Sequence, residues 1–143
     1  MKSDDTDRAI RILLVDDDPA EHILLKRVIE EADGPAIELD YASDIGAAVD
    51  RVRAGGVDLV FLDNRLSSNN DFRENAPQLR QAGYVGPIGI ISSDISGDYF
   101  QRFEEFGADF RIGKDEIDGT AISFVVAEYT RNPLPENCAE DFT

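Results

Sequence analysis

From residue 10 onward the chain alternates short apolar runs with longer stretches in which apolar residues recur at helical spacing, the pattern of repeated strand–helix units. Ile10-Arg11-Ile12-Leu13-Leu14-Val15 is continuous and branched enough for a strand covered on both faces, and it stops at Asp16-Asp17-Asp18-Pro19. Asp18 suits an N-cap and Pro19 a first helical position, after which Ile23, Leu24, Val28, Ile29 and Ala32 form an apolar stripe that Gly34-Pro35 ends. Ala36 to Tyr41 alternates as a second strand, and Ser43 caps a short helix from Asp44 to Ala54 that Gly55-Gly56 breaks. Val57 to Leu62 is a third strand ending at Asp63. A polar loop from Asn64 to Asp71 precedes a third helix over Phe72 to Ala82, which Pro77 is expected to perturb or restart. Ile88-Gly89-Ile90-Ile91 is a fourth strand ending at Ser92-Ser93. A fourth helix is expected through Tyr99, Phe103 and Phe106, with Gly107 as its stop. Phe110-Arg111-Ile112 is a brief fifth strand ending near Lys114, and Ile117 to Tyr129 reads as a closing helix with Ile122, Val125, Val126 and Tyr129 inward.

Five strands, each followed by a helix, predict an α/β fold: a flavodoxin-like (βα)5, doubly wound, five-stranded parallel sheet in the order 2-1-3-4-5 with right-handed crossovers. The 143 residues suffice for one core and no second domain. Residues 1–9 read as a frayed leader, 10–130 as the domain and 131–143 as a polar tail. No segment after residue 131 is expected to serve as a DNA-binding or enzymatic output. Charge sharpens this picture: 14 Lys and Arg face 30 Asp and Glu, giving a net charge of −16. Such a field repels nucleic acid and anionic membrane surfaces, so neither is expected as a partner. No apolar stretch approaches the roughly 20 residues that span a bilayer, and no apolar secretory segment opens the chain, so a cytoplasmic location is expected. The single cysteine, Cys138, lies in the tail and reads as an incidental thiol.

In the predicted order, strands 1, 3, 4 and 5 are neighbours, and their carboxyl ends carry Asp16 and Asp17, then Asp63, then Ser92, then Lys114. Ligands of such sheets bind at this edge. Three carboxylates in one crevice repel, and a divalent cation resolves the repulsion; oxygen-only ligands suit Mg²⁺. A carboxylate is also a nucleophile towards phosphorus and forms an acyl phosphate, for which the central Asp63 is the candidate. Catalysis of phosphoryl transfer is mostly positioning and charge neutralisation, here by the metal and the Lys114 ammonium, with Ser92 donating its hydroxyl.

These residues resemble the receiver domain of two-component response regulators over about residues 10–130. Ile-Leu-Leu-Val-Asp-Asp-Asp-Pro is similar to the first strand and acid pair of that family, which implies that Asp16 and Asp17 are metal-site acids. Leu-Val-Phe-Leu-Asp-Asn-Arg-Leu is similar to the phosphoacceptor strand, which implies that Asp63 is phosphorylated and that the backbone carbonyl of Arg65 completes the metal site. Pro-Ile-Gly-Ile-Ile-Ser-Ser and Gly-Ala-Asp-Phe-Arg-Ile-Gly-Lys resemble the stretches that end in the switch hydroxyl, here Ser92, and in the lysine, here Lys114. The resemblance implies a single-domain response regulator. It takes a phosphoryl group from a histidine kinase or histidine phosphotransferase with Mg²⁺, catalyses only its own phosphorylation and dephosphorylation, and signals through a downstream protein partner. The resemblance implies that the partner face is the one formed by the fourth helix, fifth strand and closing helix.

Three positions depart from the family pattern: Ser67 and Asp115 replace loop prolines, and Arg111 stands where many members carry a switch Tyr or Phe. Arg111 is expected to pair with an acid of the fourth helix. Two other readings compete. A degenerate receiver acting as a phosphorylation-independent interaction module would lack an acid, the phosphoacceptor or the lysine, and none is missing. A haloacid-dehalogenase-type phosphatase is suggested by Asp16-x-Asp18, but Pro19-Ala20 follows where a hydroxyl residue belongs. His22, Phe100, Phe103 and Phe106 read as structural, and Asp18 as a helix cap before a ligand.

Overall fold

The structure, a computed structural model, describes residues 9–32, 34, 36–64, 71–93 and 98–130, without the side chains of 98–101. The tail with Cys138, the loop holding Arg65 and Ser67, and leader residues 1–8 lie outside the described residues. Strands β1 (Ile10–Val15), β2 (Ile37–Ala42), β3 (Leu59–Asp63), β4 (Ile88–Ser92) and β5 (Phe110–Gly113) form one parallel sheet in the order β2-β1-β3-β4-β5. Four α-helices, α1 (Pro19–Glu31), α2 (Ile45–Arg53), α3 (Phe72–Gln81) and α4 (Gly119–Thr130), cover it. The flavodoxin-like topology predicted from the strand–helix alternation is the one observed.

The sheet separates two apolar cores. On one face Leu13, Val60, Leu62 and Ile90 pack with Phe72, Ala76 and Leu79 of α3 and Ala48 and Val52 of α2. On the other, Leu14, Phe61 and Ile91 pack with Leu25 of α1 and Ile122, Val125 and Val126 of α4. β3 and β4 are buried along their whole length, as central parallel strands covered on both faces must be. The edge strand β5 is seated by an exchange of volume: a Cβ on Gly89 would lie 2.2 Å from the Phe110 ring. The missing side chain lets Phe110 lean across β4, where its ring meets Phe61 edge-on at 6.1 Å and stacks on Tyr129 at 4.6 Å.

Local chemistry fixes the helix starts. The Asp18 side chain accepts from the Ala20 N–H at 2.9 Å with Pro19 in the first turn, and Asp44, rather than Ser43, caps α2 through the Ala47 N–H at 2.7 Å. At α3 the Asp71 side chain accepts from Arg73 N–H while the Glu74 carboxylate accepts from Asp71 N–H, a capping box. That box, with Phe72, Ala76 and Leu79 anchored in the core, carries α3 straight through Pro77, contrary to the expected interruption.

Two other expectations are corrected. Residues Asp98–Phe106 form a kinked 3-10 segment instead of an α-helix, broken at Arg102 (φ −120°, ψ 33°) and closed by Gly107 at φ 98°. On α1, Ile23 and Leu24 are 58% and 53% exposed, so the inward stripe narrows to Leu25 with the half-buried Val28 and Ile29. Tyr129, expected inward, keeps its ring on Phe110 while remaining partly exposed.

Candidate functional site at the carboxyl edge of the sheet

Parallel strands end at one edge, so the register of the ladder decides which terminal side chains meet. Val15 pairs with Leu62, Asp63 with Ile91, and Ser92 with Gly113, which sets Asp16, Asp63, Ser92 and Lys114 side by side. Carboxylate oxygens of Asp16, Asp17 and Asp63 lie within 4.8 Å of one another. Asp16 and Asp63 are only 2% and 6% exposed, whereas Asp17 faces solvent. The Lys114 ammonium sits between the two buried acids, 3.3 Å from Asp63 Oδ1 and 3.6 Å from Asp16 Oδ2. Ser92, 8% exposed, ends β4 beside them. Four of the five site side chains expected from sequence are thus gathered with the fifth, Ser92, next to them; Arg65 lies outside the described residues.

The electrostatics follow from burying like charges together. Burial, then repulsion from Asp16, pushes the Asp63 carboxyl up to about 6 against the pull of Lys114. Asp16 is raised for the same leading reason, tempered by the hydrogen bond its Oδ1 accepts from Asp18 N–H at 2.9 Å. Burial alone would lower Lys114, but the adjacent Asp63 and Asp16 carboxylates outweigh it and hold the ammonium charged. Three carboxylates and one ammonium leave a surplus of two negative charges, presented by oxygen atoms only. That donor set fits Mg²⁺, with one exposed acid open to water and two buried acids fixed in place.

One residue of the site was not legible from sequence beyond its place in a polar loop. Asn64 is buried directly after Asp63; its N–H donates to Ile91 O at 2.8 Å and its Oδ1 accepts from Phe72 N–H at 3.4 Å. It ties the end of β3 to β4 and to the start of α3, and so holds the backbone beside Asp63. Its only sequence signal is a short polar side chain immediately after a strand-ending acid. Asp18, by contrast, is occupied as the cap of α1, and His22 stacks on Tyr41 with ring centroids 4.5 Å apart, the structural role expected of it. A hollow of about 350 Å³ opens beside the site, bounded by Asp16, Lys114, Leu24, Leu25, Val28 and Ile117. Arg111 has no acidic partner among the described residues; its guanidinium carbon lies 5.9 Å from the centre of the Phe103 ring, and its Nε is buried without a hydrogen bond.

A five-stranded sheet in this order, with an acid cluster and a lysine at its carboxyl edge, defines the class of receiver-type α/β domains. The chain belongs to the response regulator receiver domain family, whose pattern it matches over residues 12–122. It is similar to a LuxR-family two-component response regulator from Aurantimonas sp. SI85-9A1, with 27% identity, 94% of this chain and 99% of that one covered, and a TM-score of 0.69. It is also similar in fold to the BeF3-activated RstA receiver domain of Klebsiella pneumoniae, with 22% identity, 85% and 99% coverage and a TM-score of 0.71. A further structural neighbour is the receiver domain of a Pseudomonas aeruginosa sensor histidine kinase with magnesium in its active-site cleft (16% identity, 86% and 98% coverage, TM-score 0.70). A comparison with curated protein sequences finds no match.

Proposed function

We propose that this receiver domain is a Mg²⁺-dependent phosphoacceptor that takes a phosphoryl group on Asp63 from a histidine kinase or histidine phosphotransferase and passes the signal on through protein contacts. The observation that carries the reading is the placement of Lys114 between the buried carboxylates of Asp63 and Asp16. An Asp63 oxygen attacks phosphorus in line, the new O–P bond forms as the P–N bond to the donor imidazole breaks, and the imidazole nitrogen takes up a proton. Lys114 neutralises charge on the phosphoryl oxygens, and the Ser92 hydroxyl donates to one of them. Asp16, Asp17, Asp63 and the Arg65 carbonyl would hold the metal, which supplies charge neutralisation at those oxygens. Hydrolysis of the aspartyl phosphate returns the carboxylate, so the only reactions catalysed are the domain's own phosphorylation and dephosphorylation. The exposed Leu24, which lines the hollow at Lys114, offers an apolar landing for the donor protein.

A protein with a charge of −16 has no field for nucleic acid, and among the described residues no helix is long and apolar enough to cross a membrane, which agrees with action through protein partners in the cytoplasm. The test is phosphorylation by a purified histidine phosphotransferase or by a small phosphodonor with Mg²⁺. Transfer that is lost with chelator supports the reading. Absence of transfer where a control receiver is labelled would favour the phosphorylation-independent interaction module.

A further inference from the structure

Two helices of this domain open with an Asp and a Glu at capping-box spacing, and only one completes the box. At α3, Glu74 accepts from Asp71 N–H at 3.1 Å while Asp71 caps the first turn. At α1, Asp18 and Glu21 stand in the same relation, and the first half forms when Asp18 accepts from Ala20 N–H. The second half is blocked, because Asp18 N–H donates instead to Asp16 Oδ1 at 2.9 Å. Glu21 keeps its backbone bond to Asp18 O at 3.0 Å, but its side chain makes no hydrogen bond or ion pair among the described residues. It is half-buried in the wall of the hollow that Asp16 and Lys114 also line, and its charge lies within electrostatic reach of both.

A spare carboxylate at this place bears on a problem that the site sets for Lys114. The ammonium rests 3.3 Å from Asp63 and 3.6 Å from Asp16, longer than the roughly 2.7–2.9 Å of a well-seated charged pair, so it is shared between the two acids. Those are the carboxylates that a divalent cation would take. Without the cation the ammonium faces three negative charges; with it, the ammonium faces a net charge of one and a dication alongside, and its hold on Asp16 and Asp63 weakens. Lysine carries its charge on a flexible four-carbon stem, and the hollow gives about 350 Å³ of room beside it. Of the acids lining that hollow, Asp16 belongs to the metal site, Glu31 stands about 15 Å further along α1, and Glu21 is left. We propose that Glu21 is a positioning residue that receives the Lys114 ammonium across the hollow when a divalent cation occupies Asp16, Asp17 and Asp63. It relieves the competition of lysine and cation for the same two carboxylates, and it keeps the ammonium close to where phosphoryl oxygens arrive. The incomplete capping box is then part of the site, since Asp16 takes the N–H that Glu21 would otherwise accept. The inference rests on the Mg²⁺ site proposed above.

The test is the Mg²⁺ affinity of the full, unphosphorylated chain by titration calorimetry, in a double-mutant cycle of Glu21→Gln and Lys114→Met, with Glu31→Gln as a second acid removed from the same hollow. Glu21→Gln is expected to weaken Mg²⁺ binding about five- to tenfold, and less than about twofold in the Lys114→Met background, where no ammonium competes. Glu31→Gln is expected to stay within about twofold of the wild type. A nuclear Overhauser contact between Lys114 Hε and Glu21 Hγ is expected in the Mg²⁺-loaded wild type. An equal loss of affinity in both backgrounds, a Glu21→Gln affinity within about twofold of the wild type, or a loaded protein without the Lys114–Glu21 contact would overturn the proposal. In each of these the wild type still binds Mg²⁺ and the phosphoacceptor reading stands. A wild type that binds no Mg²⁺ would overturn both, so the two failures are told apart.

Discussion

Lys114 and Arg111 stand three positions apart at the end of the same strand, yet they are treated in opposite ways. Lys114 has a carboxylate on either side within 3.6 Å, and its ammonium is more firmly charged than in water. Arg111 has an aromatic face, a buried and unpaired Nε, and no carboxylate partner among the described residues. The difference teaches where this domain is fixed and where it is left loose. At the carboxyl edge, strand register and charge pairing each determine the positions of Asp16, Asp63 and Lys114. On the flank facing Asp98–Phe106, a long cation lies over an aromatic ring with its Nε unpaired, against a segment whose winding is broken.

The comparison can be broken in four places. Lys114→Met should have the largest effect, slowing phosphorylation of Asp63 by acetyl phosphate about 100- to 1,000-fold, the usual loss when a preorganised charge-stabilising donor is removed; a loss below about fivefold would place Lys114 outside the reaction. Asp63→Asn should stabilise the metal-free protein by about 2 kcal/mol at pH 7.5, read from denaturant unfolding. The sign follows from the raised carboxyl: ionised Asp63 destabilises the fold, by nothing below about pH 4 and fully above about pH 6. The gain should therefore vanish near pH 4, and Mg²⁺ should stabilise the wild type and do so far less for the variant. Gly89→Ala should destabilise by about 1–3 kcal/mol, because its Cβ collides with the Phe110 ring that seats β5, and it should disturb Lys114 and Arg111 together. Arg111→Met should have the smallest effect, a gain of about 1 kcal/mol from removing an unpaired buried donor, with the phosphorylation rate unchanged within about twofold. A large rate loss there would erase the distinction between the two cations.

What could be read without coordinates was whatever rests on period and punctuation. The buried runs of β1, β3 and β4, the strand order and the meeting of Asp16, Asp17, Asp63 and Lys114 all follow from apolar runs that end in polar residues. The winding of Asp98–Phe106 does not, because the spacing of Tyr99, Phe103 and Phe106 is that of one α-helical face, within about 60° at about 100° per residue, and the chain departs from it at Arg102. Nor do the exposure of Ile23 and Leu24, which depends on how α4 sits beside α1, or the continuity of α3 through Pro77, which its capping box and buried anchors sustain. The pairing expected for Arg111 fails for the same reason as the winding: it needs an acid on the inward face, and the 3-10 turns put Phe103 there. Asn64 was hidden because a lone amide in a polar loop carries no pattern.

The central claim, that the carboxyl edge is a phosphoacceptor built around Asp63, is tested most directly by intact mass after incubation with Mg²⁺ and acetyl phosphate or phosphoramidate, for the wild type and Asp63→Asn. The account predicts a gain of one phosphoryl group in the wild type, lost with chelator and absent from Asp63→Asn. No gain in the wild type while a control receiver is labelled, or an equal gain in Asp63→Asn, would contradict it.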